Sequence, residues 1–383
     1  MEQFKIVHII AGLNPGGAEM MLTKLTQSVA KEQFHFHIIS LSDEGELGPL
    51  LKEAGAEVHT LGMSSRSFHF RDFWKLVKLL RQLKPNLIQS WMYHADLINS
   101  LASYFLQKTP VIWGLRQSLL TPGFLKPKTR FLAKVCAKLS GTPANIICCS
   151  ESTLKAHVEF GYRSKNMIVI PNGFDLNQFK PDQGSRKKIR TELNIAEGDI
   201  LFGMVSRFDR YKDHENLIRA SKRVIEIYPN AYFLLCGTDI SPQNKILVKW
   251  LNQSNVRDNF FLLDQRSDIP RITAALDFSV LCSHSEGFPN VVGEAMACAV
   301  PCIVTDVGDS ANIVGDTGIV VPPKEKALMT NALLEMASLT KEQKLILGTR
   351  ARKRIEQLYS LSVITEKYES TYRKAILGRK SSC

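Results

Sequence analysis

The residues best suited to chemistry lie in one window, Ser283-His284-Ser285-Glu286-Gly287-Phe288-Pro289-Asn290-Val291-Val292-Gly293-Glu294. An apolar, strand-like run precedes it and a helical pattern follows, so the backbone amides from Gly287 to Asn290 fall at a helix start. Unpaired N–H groups and the helix dipole make such a start a phosphate site. Glu286 and Glu294 stand eight residues apart, slightly more than two helical turns, which aims both carboxylates at one pocket. A carboxylate only accepts hydrogen bonds, so beside a phosphate it suits hydroxyls: sugar hydroxyls for Glu286 and ribose hydroxyls for Glu294. A nucleotide sugar carries both kinds of group. The plainer alternative is a solvated helix start whose glutamates favour the first turn.

Two cations follow another expected strand, over 200–205. Arg207 and Lys212 combine a bidentate fork with a point charge, a pairing able to clamp a diphosphate. Taken alone, the pair also reads as surface charge. Nearer the N-terminus, the β-branched run 5–13 passes into Asn14-Pro15-Gly16-Gly17-Ala18-Glu19 and then into helical spacing over 20–29. Strand, glycine loop and helix open a nucleotide-type α/β unit. His94 lies at the end of the strand expected over 87–90, either packed among Trp91 and Tyr93 or facing a ligand. Arg116 follows the strand 110–115 and, being permanently protonated, can offer only electrostatic contact to phosphate or acceptor.

Positioning these residues requires alternating strands and helices. Strands are expected over 5–13, 36–41, 57–61, 87–90, 110–115 and 145–149, with helices near 20–29, 46–54, 70–83, 95–106, 127–138 and 151–160. The turn Pro171-Asn172-Gly173-Phe174-Asp175 and the polar, basic run 181–190 mark a domain boundary. A second series follows, with strands over 200–205, 231–236, 260–263, 278–282, 302–305 and 318–321 and helices near 213–227, 243–253, 291–298 and 340–358. The pattern predicts an α/β protein of two Rossmann-like domains, 1–175 and 176–359, facing across a cleft. Ligands in such folds meet the carboxyl ends of strands.

A length of 383 residues supports about two to three domains. With 44% hydrophobic and 22% charged residues the composition excludes disordered, collagenous and coiled-coil classes. The net charge is +12, and it is uneven: residues 1–195 hold 25 basic and 15 acidic side chains, against 24 and 22 in 196–383. No acidic residue occurs between Asp96 and Glu151, where Lys108, Arg116, Lys126, Lys128, Arg130, Lys134 and Lys138 all fall. An anionic partner is implied. Eight cysteines without CxxC or interleaved His spacing read as buried reduced thiols, which suits a cytoplasmic protein. Neither a signal peptide nor a run of about 20 apolar residues is evident.

The motifs together resemble the retaining glycosyltransferases of family 4, which have the GT-B fold. The likeness rests on Glu286-x7-Glu294 within EGFPNVVGEAMA, Arg207 and Lys212 five apart, PNGFDLNQF at the boundary, and GLNPGGAE after the first strand. Tyr359-Ser360 and a helix bearing Tyr368 and Tyr372 resemble the family's terminal segment, so residues 360–383 are expected to cross back to the N-terminal domain. The resemblance implies transfer of a hexosyl-type sugar from a nucleotide diphosphate donor, UDP by family frequency, with retention of configuration. It implies that Glu294 binds ribose, Glu286 lies near the donor sugar, and Phe288, Pro289 and Asn290 border the phosphates with Gly287. Arg207 and Lys212 match the diphosphate clamp, and Gly16 and Gly17 the loop closing over the donor. No metal or other cofactor is implied, and the chain has no Asp-x-Asp sequence.

Two positions depart from the family pattern. Arg116 stands where many members place a histidine near the reacting sugar, leaving either His94 or Arg116 to take that role. Asn312 stands where the family often has a glutamate, with Asp306 and Asp309 as nearby substitutes. No pair of carboxylates reads as nucleophile plus acid, which favours front-face attack over double displacement.

The acceptor is expected on the basic N-terminal domain, as a glycan or lipid-linked molecule of cell-surface polysaccharide or lipopolysaccharide synthesis. Residues 68–83 mix aromatic and aliphatic side chains with Arg71, Lys75, Lys78 and Arg81, and 124–138 repeat the mixture. Both suit either a packed helix with a solvated cationic side or peripheral docking on an anionic inner membrane face. Nucleic acid is not an expected partner, since zinc-finger, RNP and helix-turn-helix patterns are lacking. A nucleotide-sugar epimerase and a catalytically silent nucleotide-sugar-binding protein are the alternatives to a transferase.

Overall fold

The computed structural model describes residues 3–63, 70–106, 109–118, 120 and 125–378. Phe68, His69, Lys108, Phe124 and Cys383, which figured in the charge, membrane and cysteine readings, lie outside these. The chain forms two compact units: residues through Gly173 together with those from Leu361 onward, and Phe174–Ser360. The boundaries expected after 175 and 359 stand two residues and one residue from these divisions.

In the first unit β1 (Phe4–Ile10), β2 (Phe34–Ser40), β3 (Glu57–Thr60), β4 (Leu87–Trp91), β5 (Val111–Leu115), β6 (Asn145–Cys148) and β7 (Met167–Val169) form a parallel sheet ordered β3-β2-β1-β4-β5-β6-β7. The central strands are buried throughout, as a sheet covered by helices on both faces requires. In the second unit β8 (Ile200–Val205), β9 (Ala231–Cys236), β10 (Phe260–Leu262), β11 (Phe278–Leu281), β12 (Cys302–Thr305) and β13 (Ile319–Val321) are again parallel, ordered β10-β9-β8-β11-β12-β13. Both are doubly wound sheets. The strand order reverses between β1 and β4 in one and between β8 and β11 in the other, and the loops leaving those strands border a switch-point crevice.

The helix Leu361–Leu377 belongs to the first unit. Ile364, Tyr368, Tyr372 and Ile376 recur every four residues and bury one face against a core containing Ile6, Phe34, Phe36 and Trp91. Thr365 bonds Ser28, and Glu369 accepts from the Ala30 N–H at 2.9 Å, so both edges of the helix are also pinned. His8 sits in this core, where burial lowers its pKa to about 3; the neutral ring accepts from Trp91 Nε1 at 3.2 Å.

Several elements differ from the sequence expectation, which also lacked the helices Ile269–Ala275, Ser310–Val314 and Lys326–Ala337. The run 181–190, read as marking the domain boundary, is the helix Gln183–Glu192. Asp182 caps it by accepting from the Ser185 N–H at 2.9 Å, and Arg186 and Arg190 bind Asp277 at 2.8 and 3.3 Å, so polar anchors supply what apolar periodicity lacks. The strand β7 is an addition, three residues long. The helix expected from 95 begins at Met92, immediately after β4, which places His94 in its first turn and not at a strand end. Among the described residues seven cysteines are free and buried, with burial pushing the Cys236 thiol up to about 11 and the Cys302 thiol up to about 12. Among the described residues no helix is long and apolar enough to cross a membrane.

Candidate active site

In the second unit, loops from adjacent strands meet at the switch point. β8 ends at Val205, and the segment Ser206–Asp213 carries Arg207 and Lys212 into the helix His214–Ile227. β11 ends at Leu281, and the segment carrying Glu286 leads into the helix Asn290–Ala297. Lys212 Nζ lies 2.5 Å from Glu286 Oε1, with both side chains mostly buried, and Ser283 Oγ donates to the same oxygen at 2.6 Å. The His284 N–H donates to the Tyr211 carbonyl at 2.7 Å, and His284 Nε2 lies 2.5 Å from Asp213 Oδ2. The two loops are thus joined by an ion pair, a backbone hydrogen bond and a histidine–aspartate contact.

Beneath them, His214 is buried and bonds Ser206 Oγ at 3.1 Å. Desolvation, with the nearby Lys212 charge, lowers its pKa to about 4, so it adds no charge below the cation. Thr305 Oγ1 donates to the Ser283 carbonyl at 2.7 Å. Gly308 has φ +58°, and a Cβ there would lie 2.6 Å from the carbonyl oxygens of both Glu286 and Gly287. The Asp309 N–H donates to the Gly287 carbonyl at 3.1 Å. Ser283, His284, Asp213 and Gly308 therefore shape the site, although sequence reasoning gave them no role; the left-handed Gly308 beside Asp309 is the one local signal.

The sequence-expected residues divide as follows. Glu286 and Lys212 come together directly. Arg207 is engaged separately, by Asp209 Oδ2 at 3.2 Å, with its side chain 67% exposed. Burial acts to raise the Asp209 pKa, but the Tyr211 N–H and the Arg207 guanidinium outweigh it, and the carboxyl lies below its usual range. Pro289 has no N–H, so of the four loop positions expected to donate to phosphate only Gly287, Phe288 and Asn290 can. The Phe288 ring lies 6.1 Å from both Phe174 and Tyr359 and packs the loop onto the unit's core. Gly293 permits this arrangement, since a Cβ would meet the Phe174 ring at 2.1 Å. Glu294 is half-buried on the helix that follows the loop. Asn312 is exposed, and its carbonyl receives Tyr359 OH; Asp309 is buried beside the loop.

In the first unit Ile10 and Trp91 are register partners, so the loops after β1 and β4 leave the sheet side by side. Gly16 caps the helix Gly17–Ser28, and no atom lies within 4 Å of a Cβ placed on Gly17. His94 is exposed in the first turn after β4, and partial desolvation lowers its pKa, leaving a neutral ring at pH 7. Arg116, expected to meet phosphate or acceptor, instead donates to Asn172 Oδ1 and to the Tyr368 hydroxyl, with its guanidinium 5.0 Å from the Trp91 ring centre.

Residues 15–178 match the family model described as Glycosyltransferase Family 4, and residues 185–354 match that of Glycosyl transferases group 1. The chain belongs to glycosyltransferase family 4. This glycosyltransferase is 27% identical to the capsular polysaccharide biosynthesis glycosyltransferase CapM of Staphylococcus aureus, over 89% of the chain and 90% of the relative. It is 28% identical to the UDP-Gal:alpha-D-GlcNAc-diphosphoundecaprenol alpha-1,3-galactosyltransferase of Escherichia coli, over 90% of the chain and 96% of that protein. The crystal structure of Anabaena HepE in complex with UDP-glucose superposes with a TM-score of 0.79 at 22% identity and full coverage of both chains, which shows a shared GT-B fold.

Proposed function

We propose that the protein transfers a sugar from a UDP-sugar to a lipid-linked or glycan acceptor in cell-surface polysaccharide or lipopolysaccharide assembly, with retention and without a metal. The observation that carries this reading is the Lys212–Glu286 pair at the β8–β11 switch point, beside a helix start. The Escherichia coli relative, whose name specifies a UDP-sugar donor and a diphosphoundecaprenol-linked acceptor, supports the choice of substrates.

As the bond between the anomeric carbon and the β-phosphate oxygen breaks, positive charge grows on the sugar and negative charge on the leaving phosphate. Lys212, Arg207 and the N–H groups of Gly287, Phe288 and Asn290 oppose the phosphate charge, and do so most strongly as it develops. Glu286 holds Lys212 in place and accepts from donor hydroxyls; Glu294 accepts from ribose. The departing phosphate takes the acceptor hydroxyl's proton, and the acceptor oxygen bonds the same face of the sugar. His94, accessible and neutral, suits the position near the reacting sugar better than Arg116, whose guanidinium holds Asn172 and Tyr368. Incubation with a panel of UDP-sugars and undecaprenol-linked acceptors is expected to release UDP with transfer, unaffected by excess EDTA. Transfer that ceases with EDTA overturns the metal-free step. Sugar isomerisation without UDP release overturns the transferase reading for an epimerase.

Peripheral membrane contact draws support from the helix Phe70–Leu83. Phe70 is 70% exposed and Trp74 39%, with Trp74 5.0 Å from the partly exposed Phe105 ring, while Arg71, Lys75, Lys78 and Arg81 are exposed on the same helix. Aromatic rings flanked by cations suit the interface of an anionic bilayer. Co-sedimentation with phosphatidylglycerol vesicles is expected for the wild type and to fall at least about tenfold in Phe70→Ala/Trp74→Ala, since each buried ring contributes about 1.5–3 kcal/mol. Equal sedimentation of the two proteins removes this surface from the membrane reading.

A further inference from the structure

At the outer edge of the seven-stranded sheet lies a histidine-rich group that sugar transfer does not use. His35 and His37 are two apart on β2, and Glu57 and His59 are two apart on β3; residues so spaced share a face of their strand. Parallel register sets His37 opposite Glu57. His35 and Glu57 stand in the amino-terminal halves of these strands and His37 at the middle of β2, away from the carboxyl ends that carry the glycine loop.

His37 Nδ1 lies 3.4 Å from His59 Nε2 and 3.5 Å from Glu57 Oε2, and His35 Nε2 lies 3.5 Å from Glu57 Oε1. One ligand atom each from His35, His37 and Glu57 falls within 4.8 Å of the others. These separations are long for hydrogen bonds involving a carboxylate. Small side-chain rotations bring such a group to the roughly 3.3–3.4 Å that separates ligands held 2.0–2.1 Å from a tetrahedral metal. His37 is only 2% exposed, its Nε2 has no hydrogen-bond partner, and its Nδ1 is the atom facing the group. Lys5, the register partner of His35 on β1, is the cation beside the group, and Glu57 offsets its charge.

We propose that His35, His37 and Glu57 form a binding site for a zinc-class divalent cation that ties the edge strand β3 to β2, with His59 beside it. Two imidazoles and one carboxylate, with the fourth position left to water, suit Zn2+ or Co2+ and do not suit Mg2+ or Ca2+, which favour all-oxygen shells. β3 is only four residues long and pairs on one side alone, so a metal bridge adds a cross-link where the sheet has fewest hydrogen bonds. Binding only the folded state, the ion raises stability by mass action.

The full chain, freed of any affinity tag and treated with chelator, is titrated with Zn2+ alone by calorimetry and with Co2+ by visible absorption. One ion per chain, a tetrahedral Co2+ band displaced by Zn2+, and a Tm raised by Zn2+ but not Mg2+ are expected. His35→Gln and Glu57→Gln change accessible side chains and leave the core intact; each is expected to weaken Zn2+ binding at least about tenfold. Zn2+ binding equal in the wild type and both variants, or a Tm indifferent to Zn2+, overturns the site and leaves the group as one that only exchanges protons.

Discussion

Glu286→Gln is expected to lower the rate of UDP release from the donor by about 10²–10³-fold, with UDP affinity unchanged or tighter. Gln has the same shape and still accepts from Ser283 Oγ, so the loop keeps its support. It loses the charge that holds Lys212 at 2.5 Å. Released, Lys212 reaches ground-state phosphate at least as well as before, and a carboxylate that repels phosphate is gone. What is lost is the alignment of the ammonium and the hydroxyl contacts as charge moves from sugar to phosphate. Rates from UDP release and affinities from calorimetry separate the two effects. A rate within about threefold of wild type removes Glu286 from the chemistry, and a matching loss of UDP affinity makes it a binding group alone.

Arg116→Ala is expected to destabilise the first unit by about 3 kcal/mol, because two hydrogen bonds from a charged donor and a contact over Trp91 disappear together. Tyr368 is fully buried, so its hydroxyl cannot turn to water in exchange. A fall in Tm of roughly 6–12 °C follows for a unit of this size. Arg116→Lys should recover little of it, since a single ammonium cannot span Asn172 and Tyr368 as the guanidinium does. Calorimetric unfolding measures both variants. A Tm unchanged in Arg116→Ala, joined to a loss of rate, returns Arg116 to the reacting sugar.

The donor-side loops were legible because they sit where β-branched runs give way to glycine and then to helical spacing, a change of period visible in a single sequence. The helix Gln183–Glu192 was not, because its buried side chains include only one large apolar residue, Ile189, and its anchor is the bond of Arg186 and Arg190 to Asp277, 91 and 87 residues away. The contacts of Arg116 were out of view for the same reason: its partners lie 56 and 252 residues downstream. His94 moved because the chain enters its helix directly from β4, with Met92 at φ +70°. The His35–His59 group depends on the register of two strands joined by a helix, and spacing within either strand names only two members.

The second unit is inserted between Gly173 and Leu361, and its two ends run together: the Phe174 N–H donates to the Tyr359 carbonyl at 2.9 Å, and Phe174 bridges Ser360. During synthesis the inserted unit can therefore finish folding while the first is still incomplete. Until the Tyr368 and Tyr372 helix leaves the ribosome, the aromatic face formed by Phe34, Phe36 and Trp91 has no cover. The earliest residues of the chain wait longest for their partner. Over that interval the nascent first unit exposes its most adhesive surface, which makes it the stage at which chaperones have most to hold.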